Sequence, residues 1–274
     1  MKNFLLASAL TAFGLNAGAQ HQLVKKWETD AVLHEPESVL YDRANKVLYV
    51  SNIDGKGDEK DGKGSVGKVG LDGKVISADW VTGLNAPKGL ALVKNMLWVA
   101  DVDEVVGIDI KTGQITQHVK VEGAKFLNDL TADKNGTLYV SDSQGKTVYR
   151  IDKGNVTAYI ENLQGPNGLL MHKNELYILD RGGLFKAGKN KTPVKLADGM
   201  DQSTDGIENV QGNEFIVSCW SGVIYYVNGD GTTQQLLDTR DQKINSADIG
   251  YDAKNKIVYV PTFFNNNVVA YQLQ

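Results

Sequence analysis

The chain has 274 residues, 42% of them hydrophobic, which is enough for a packed core in one large domain or two small ones. Its formal net charge of −4, without a Lys/Arg run or zinc-finger spacing, argues against a general nucleic-acid binder, so no nucleic-acid partner is expected. The 29 glycines suit a fold with many turns, and the single cysteine, Cys219, cannot form an internal disulfide. Cys219 stands in the strand-like run EFIVSCW, where we expect a small buried side chain.

The first 19 residues have the pattern of a secretory signal peptide. Lys2 provides the positive n-region, residues 4–15 the apolar h-region, and Ala17-Gly18-Ala19 an A-x-A cleavage site. This apolar run is too short to cross a bilayer, and no later stretch reaches the roughly 18 apolar residues that a span needs. The sequence therefore predicts an exported protein, periplasmic or secreted after cleavage near Ala19, with a mature chain of residues 20–274 and no membrane span.

The mature N-terminus, HQLVKKWETD (21–30), has the composition of a β-strand. It resembles GKVISADW (73–80), the fourth strand of the first repeat described next. The last repeat supplies only three strands after Ser246. We expect the N-terminal strand to complete that repeat and so to remove the open edge that a linear array would leave.

Six runs of one pattern recur along the mature chain at intervals of 38 to 49 residues. They are rich in Val, Ile, Leu and aromatic residues, as buried strands are. An interval near 40 residues is typical of a four-stranded propeller blade. The runs are VLYVSN (47–52), MLWVAD (96–101), TLYVSD (137–142), ELYILD (175–180), EFIVSC (214–219) and IVYVPT (257–262).

The same order of elements surrounds each run. A short apolar strand and a turn with Asn or Gly come before it, and a third strand, a Gly-marked turn and a fourth strand come after it. The intervals leave no room for the helices that a parallel βαβ fold needs. The predicted fold is all-β, a six-bladed β-propeller whose N-terminal strand closes the last blade.

A polar residue stands in each repeat 10 to 12 positions before the central residue of the run. Because the first strand of a propeller blade lines the central channel, these six side chains should converge at one mouth of that channel. Three are carboxylates, two are amides and one is a lysine. These ring residues are Glu37, Lys88, Asn128, Asn167, Asp205 and Asp248.

Two interpretations of the ring residues are open. Turn preferences explain Asn167 or Asp205 taken singly, but they explain Glu37 poorly because Glu has no special turn chemistry. Alternatively, several buried carboxylates repel one another and lose hydration, and a cation relieves both costs. Carboxylate and amide oxygens without His or Cys suit a hard ion, so we expect one divalent cation, Ca²⁺ before Zn²⁺ or Mn²⁺.

The chain resembles the SMP-30/gluconolactonase family of six-bladed propeller lactonases over essentially its whole mature length. PESVLYD, PNGL and STDGI match the segments that carry the family's metal ligands, which implies Glu37, Asn167 and Asp205 as ligands here. FLND matches a pair that lies beside the family's substrate, which implies substrate contacts by Asn128 and Asp129.

The resemblance has departures at the positions that contact the sugar. The family's tryptophan after the first Glu is Leu40, and the arginine expected two residues before Asn128 is Phe126. The Glu37 segment also lacks the usual proline after the Glu. The metal ligands therefore carry over better than the sugar-contacting residues.

The function expected from these residues is metal-dependent hydrolysis of a small-molecule lactone, of the sugar or aldono type, by a monomer. Asp205 would also act as the catalytic base that accepts a proton from water, and Lys88 would either contact an anionic substrate or pair with Glu37 or Asp248. The alternative is a non-catalytic exported propeller that binds a small molecule, glycan or protein and holds a structural calcium.

Three further segments allow two interpretations each. The acidic, Gly-rich insert NIDGKGDEKDGKGS (52–65) is either a lid over the channel or a solvated loop. The segments WSG (220–222) and PTFFNNN (261–267) supply either aromatic walls at the same mouth or ordinary blade packing.

Overall fold

The computed structural model describes residues 20–274, and the predicted signal peptide (1–19) lies outside the described residues. Six antiparallel four-stranded sheets follow one another along the chain, which confirms the predicted six-bladed all-β propeller. The helical segments in the described residues are three 3-10 turns of three residues each. None of the described helices has the length and hydropathy that a membrane span requires.

Blades 1 to 3 are built from consecutive hairpins, with the first strand of each blade innermost. Blade 1 contains β2 (Pro36–Asp42), β3 (Val47–Asn52), β4 (Gly64–Gly70) and β5 (Val75–Leu84). Blade 2 contains β6 (Pro87–Val93), β7 (Met96–Asp101), β8 (Glu104–Asp109) and β9 (Gln114–Lys120). Blade 3 contains β10 (Leu127–Ala132), β11 (Leu138–Asp142), β12 (Thr147–Asp152) and β13 (Asn155–Ile160).

Blades 4 to 6 follow the same scheme, except that the last blade takes its outer strand from the N-terminus. Blade 4 contains β14 (Pro166–His172), β15 (Glu175–Asp180), β16 (Gly183–Ala187) and β17 (Pro193–Ala197). Blade 5 contains β18 (Thr204–Gln211), β19 (Glu214–Cys219), β20 (Val223–Val227) and β21 (Thr233–Asp238). Blade 6 contains β22 (Gly250–Asp252), β23 (Ile257–Pro261), β24 (Val268–Leu273) and β1 (Leu23–Glu28).

The ring closes where β1 pairs with β24, as the sequence predicted. Two backbone hydrogen bonds between Gln22 and Gln274, of 3.2 and 3.0 Å, extend this pairing to the end of the chain. Packing closes the ring as well, because Leu48 and Val50 of blade 1 share one hydrophobic cluster with Tyr259 of blade 6.

The six repeated runs form the second strand of each blade. These strands are packed on both faces, since neighbouring blades lie on either side of them. This explains why the runs are continuously hydrophobic and do not alternate between apolar and polar residues. Strand β3, for example, is buried along its whole length, and Cys219 at the end of β19 is fully buried, as expected.

Candidate functional site

A β-bulge lies at the ring residue of each of the first five blades. The register between the first and second strands shifts next to Glu37, Lys88, Asn128, Asn167 and Asp205. A bulge leaves one residue unpaired and turns its side chain away from the regular alternation of the strand. In blade 6, Asp248 precedes β22 and bridges to Ser38 of blade 1 in place of a bulge.

Serine hydroxyls from the second strand stabilise three of these bulges. In each case the backbone N–H that follows the ring residue donates to a serine Oγ at 2.9 to 3.0 Å. The donor and acceptor pairs are Ser38 with Ser51, Asp129 with Ser141, and Gly206 with Ser218. A serine in the repeated run is therefore a local sequence signal for the bulge opposite it.

Aspartates at the end of the second strand fix the entry to the first strand in blades 2, 3 and 4. Each carboxylate accepts hydrogen bonds from two successive backbone amides just before the bulge. The three aspartates are Asp101, Asp142 and Asp180. They hold the loops that carry the ring residues without taking part in the site.

The glycine after three of the ring residues is required by space. A Cβ on Gly168 would lie 2.1 Å from the carbonyl oxygen of Asp205, and one on Gly206 would lie 2.4 Å from the backbone nitrogen of Ile249. Neither glycine has a positive φ. The innermost strands of successive blades thus approach so closely that a side chain does not fit between them.

A cavity of about 570 Å³ opens at the channel mouth. It brings together five of the six ring residues: Glu37, Lys88, Asn128, Asn167 and Asp205. Asp248, the sixth, and Asp129 line a second cavity of about 210 Å³ further along the innermost strands. Asn128 and Asp129 are therefore separated, as adjacent residues of a strand are.

Two oxygens of the mouth cavity are buried without a hydrogen-bond partner in the described structure. They are Glu37 Oε2 and Asn167 Oδ1. Asn167 Nδ2 donates to Asp205 Oδ1 at 3.0 Å, which fixes the amide with its oxygen directed away from that carboxylate. Unpartnered buried acceptors are rare because they lose hydration without compensation.

The donor set fits an oxygen-coordinated cation. Two carboxylates and one amide oxygen are the kind of ligands that Ca²⁺ takes in proteins. No group of three His, Cys, Asp or Glu side chains in the described residues is placed to hold a metal ion. A site here would therefore depend on the amide oxygen of Asn167 beside Glu37 and Asp205.

Burial and mutual repulsion make the ring carboxylates costly to ionise. Burial, followed by repulsion from Asp205 and Asp248, raises the pKa of Glu37 well above its usual value. Burial and repulsion from Asp248 do the same for the pKa of Asp205 and of Asp129. Burial raises the pKa of Asp248 to about 7. A cation at the mouth would offset these costs.

Lys88 connects the ring to the acidic insert. Its ammonium group, whose pKa burial lowers, donates to the carbonyl of Gly57 at 2.6 Å and to that of Ala86 at 2.8 Å. It also lies 4.5 Å from the centre of the Phe126 ring. It forms no ion pair within 4.0 Å in the described residues. Residues 55–57 of the insert line the mouth cavity as a result.

The pair predicted to contact substrate makes different internal contacts. Asn128 lies in the mouth cavity and donates to Ser143 Oγ at 3.2 Å. The carboxylate of Asp129 accepts the backbone N–H groups of Leu130 at 2.6 Å and of Leu169 at 2.5 Å. Asp129 thus joins blade 3 to blade 4, and a substrate contact by this residue stays a prediction.

Aromatic side chains form the outer part of the mouth cavity. The two segments for which the sequence allowed a role as aromatic walls both contribute to it. Their side chains that line the cavity are Trp220, Phe263 and Phe264. Phe126 lines it too, although the sequence suggested only that it replaces an arginine.

Comparison with known proteins identifies the fold and not a family. The sequence matches no protein-family model and shows no significant similarity to a curated protein. The structure is similar to a streptogramin B lyase, with a TM-score of 0.67 and 11% identity over 93% of this chain and 97% of that one. It is also similar to a candidate gluconolactonase, with a TM-score of 0.66 and 15% identity over 94% and 93% of the two chains.

A third similar structure comes from a nidogen/laminin complex, with a TM-score of 0.64 and 16% identity over 78% of this chain and 84% of that one. At these identities the likeness shows the propeller fold alone. Enzymes and a chain from a protein complex occur among its neighbours, so the fold does not decide the function. Membership of the SMP-30/gluconolactonase family stays a prediction.

Proposed function

We propose that this protein is a metal-dependent lactonase that opens a lactone ring at the mouth of its central channel. One observation carries the proposal: two buried, unpartnered oxygens, Glu37 Oε2 and Asn167 Oδ1, accompany the Asp205 carboxylate in one cavity. The structural likeness to a candidate gluconolactonase is consistent with it. Glu37, Asn167 and Asp205 would hold one divalent cation, with Ca²⁺ the best fit to these donors.

The bound cation would supply Lewis-acid polarisation of the lactone carbonyl. Asp205 would accept the proton of the attacking water, because its carboxylate lies in the same cavity as the oxygens that would hold the cation. Asn128 would orient the substrate from the floor of the cavity. Lys88, two of whose three donors are used by backbone carbonyls, would act mainly by holding the insert over the cavity.

Thermal unfolding tests the metal site. The purified protein is stripped with EDTA and titrated with Ca²⁺, Zn²⁺ and Mn²⁺ beside Asp205→Ala and the surface control Asp198→Ala. Linkage predicts about 2.7 kcal/mol of stabilisation at a hundredfold excess over Kd. We expect this gain in the wild type and in the control and not in Asp205→Ala.

A lactone panel with the preferred ion then tests the reaction. Metal-dependent hydrolysis that Asp205→Ala abolishes is the expected result. Stabilisation by metal without turnover of any lactone would favour the non-catalytic binding propeller. An absence of both stabilisation and bound metal by elemental analysis would overturn the metal site.

A further inference from the structure

The outer wall of the mouth cavity is apolar and not fully covered. Phe263 lies edge-to-face against Phe264 and Trp220, with ring centres 4.7 and 5.7 Å apart. Trp220 is 40% exposed and Phe264 59% exposed, although both belong to this cluster. When an apolar ligand group covers clustered aromatic side chains at a cavity, it removes their apolar surface from water. This burial favours binding.

The wall has few polar groups, and two of its polar side chains already have partners. Outside the ring residues, the polar groups that line the cavity are the side chains of Lys56 and Ser203 and the indole N–H of Trp220. Lys56 pairs with Glu59 at 2.5 Å. Ser203 Oγ donates to Asp201 at 2.6 Å and accepts the backbone N–H of Ser221 at 3.0 Å. The wall therefore offers few free groups for hydrogen bonds to a ligand.

We infer that the site takes lactones that carry an alkyl or aryl substituent, in preference to polyhydroxylated aldono-lactones. The inference rests on the proposed function and deepens it. The hydroxyl groups of an aldono-lactone would lose hydration against this wall and gain few partners there, which weakens binding. An apolar substituent would instead cover Trp220 and Phe264 while the ester group reaches the carboxylates and amides of the floor.

A series of lactones measures the preference directly. Five-membered lactones bearing alkyl chains from ethyl to octyl are compared with D-glucono-lactone at saturating metal. We expect kcat/KM to rise about fourfold per methylene until the chain extends beyond the wall. A higher kcat/KM for the aldono-lactone than for every member of the series would overturn the inference.

Substitutions in the aromatic wall test whether this wall causes the preference for longer alkyl chains. Phe264→Ala and Trp220→Ala remove rings that are partly exposed, so both variants should fold. We expect each to lower the ratio of kcat/KM for the octyl lactone to that for the ethyl lactone by about tenfold. Ile76→Ala is the control, because Ile76 is 64% exposed on β5 and does not line the cavity. An unchanged ratio in both wall variants would also overturn the inference.

Lactams separate this inference from the proposed function. The corresponding alkyl lactams have the same ring and chain but resist hydrolysis, so calorimetry measures their binding without turnover. Affinity that rises with chain length, together with no hydrolysis of any lactone, would leave the ligand class intact and refute the lactonase. Hydrolysis of lactones with lactam affinity independent of chain length would support the lactonase and refute the ligand class.

Discussion

Asn167 donates a hydrogen bond of 3.0 Å to the carboxylate of Asp205 in the next blade. The bond orients the amide so that Asn167 Oδ1 is left as a buried acceptor without a partner. Close approach of the two innermost strands, with Gly168 against the backbone of Asp205, makes the bond possible. An arrangement that leaves a polar atom unsatisfied reduces stability, which is typical of a binding site.

The first prediction concerns the base. Asp205→Asn keeps an oxygen that accepts from Asn167 but removes the negative charge. Because a general base contributes about 10²–10⁴-fold to rate, we expect kcat to fall by at least about a hundredfold while the Ca²⁺ dissociation constant rises much less. Steady-state kinetics at saturating metal and calorimetric titration give the two values. Equal losses in turnover and metal affinity would contradict a role as base.

The second prediction concerns the pH dependence of stability without metal. Folding raises the pKa of Glu37 and Asp205, and that of Asp248 to about 7. A carboxyl group with a raised pKa contributes stability that is fully present below its unfolded pKa and is lost as the pH rises through its folded pKa. The melting temperature of the EDTA-treated protein should therefore fall as the pH rises from about 4 through about 7.

Asp248→Asn tests the origin of this loss. The variant removes a carboxylate that raises the pKa of both Glu37 and Asp205, yet it keeps an acceptor for the Ser38 hydroxyl, which donates to Asp248 at 2.6 Å. Melting temperatures across the pH range should decline less steeply than in the wild type. The exposed Asp198→Asn is the control. A decline in Asp248→Asn as steep as that of the wild type would show that Asp248 does not contribute to it.

The third prediction concerns the spacing of the innermost strands. Gly168→Ala places a methyl group against the Asp205 carbonyl, so we expect a loss of about 1–3 kcal/mol in the free energy of unfolding. Gly229→Ala is a matched control, because the added Cβ would lie 3.9 Å from its nearest neighbour, the Cβ of Asn213. Denaturant unfolding measures both. Equal stability of the two variants would disprove the close approach.

The fourth prediction separates two roles of Asp129. Because its carboxylate accepts the N–H of Leu169 in the next blade, Asp129→Ala leaves a buried donor unpaired and should cost about 1–3 kcal/mol of stability. We expect KM for the lactone to stay within about twofold in the folded variant. A large rise in KM with unchanged stability would instead support the substrate contact that the FLND segment predicted.

The repeats and the ring could be predicted from the sequence because both depend on local composition and spacing. The six runs became the second strands, and five of the six ring residues meet in one cavity. Asn128 and Asp129 lie in different cavities because adjacent side chains of a strand point to opposite faces. The resemblance to a substrate-binding pair had predicted that both contact the substrate. The contact of Lys88 with Gly57 could not be predicted, because it joins an insert to another blade.

The bulges could be predicted from the sequence only in part. Ser51, Ser141 and Ser218 stand in the repeated runs and bind the amide freed by each bulge. Their presence in VLYVSN, TLYVSD and EFIVSC is a signal that could have been read. The role of each serine depends on which backbone group lies opposite its hydroxyl. The register between the two strands decides this, and the sequence alone does not provide it.

The pairing of β1 with β24 also predicts an order for folding. Leu23 faces Leu273, so the last blade joins the two most distant parts of the described chain, whereas the other five blades form from neighbouring hairpins. Contacts at long sequence separation form slowly because a large loop must first be closed. We expect ring closure to be the final, rate-limiting event, with the β24 amides that face β1 gaining protection last in pulsed hydrogen exchange. Protection there as early as in blade 3 would mean that the ends meet before the blades are complete.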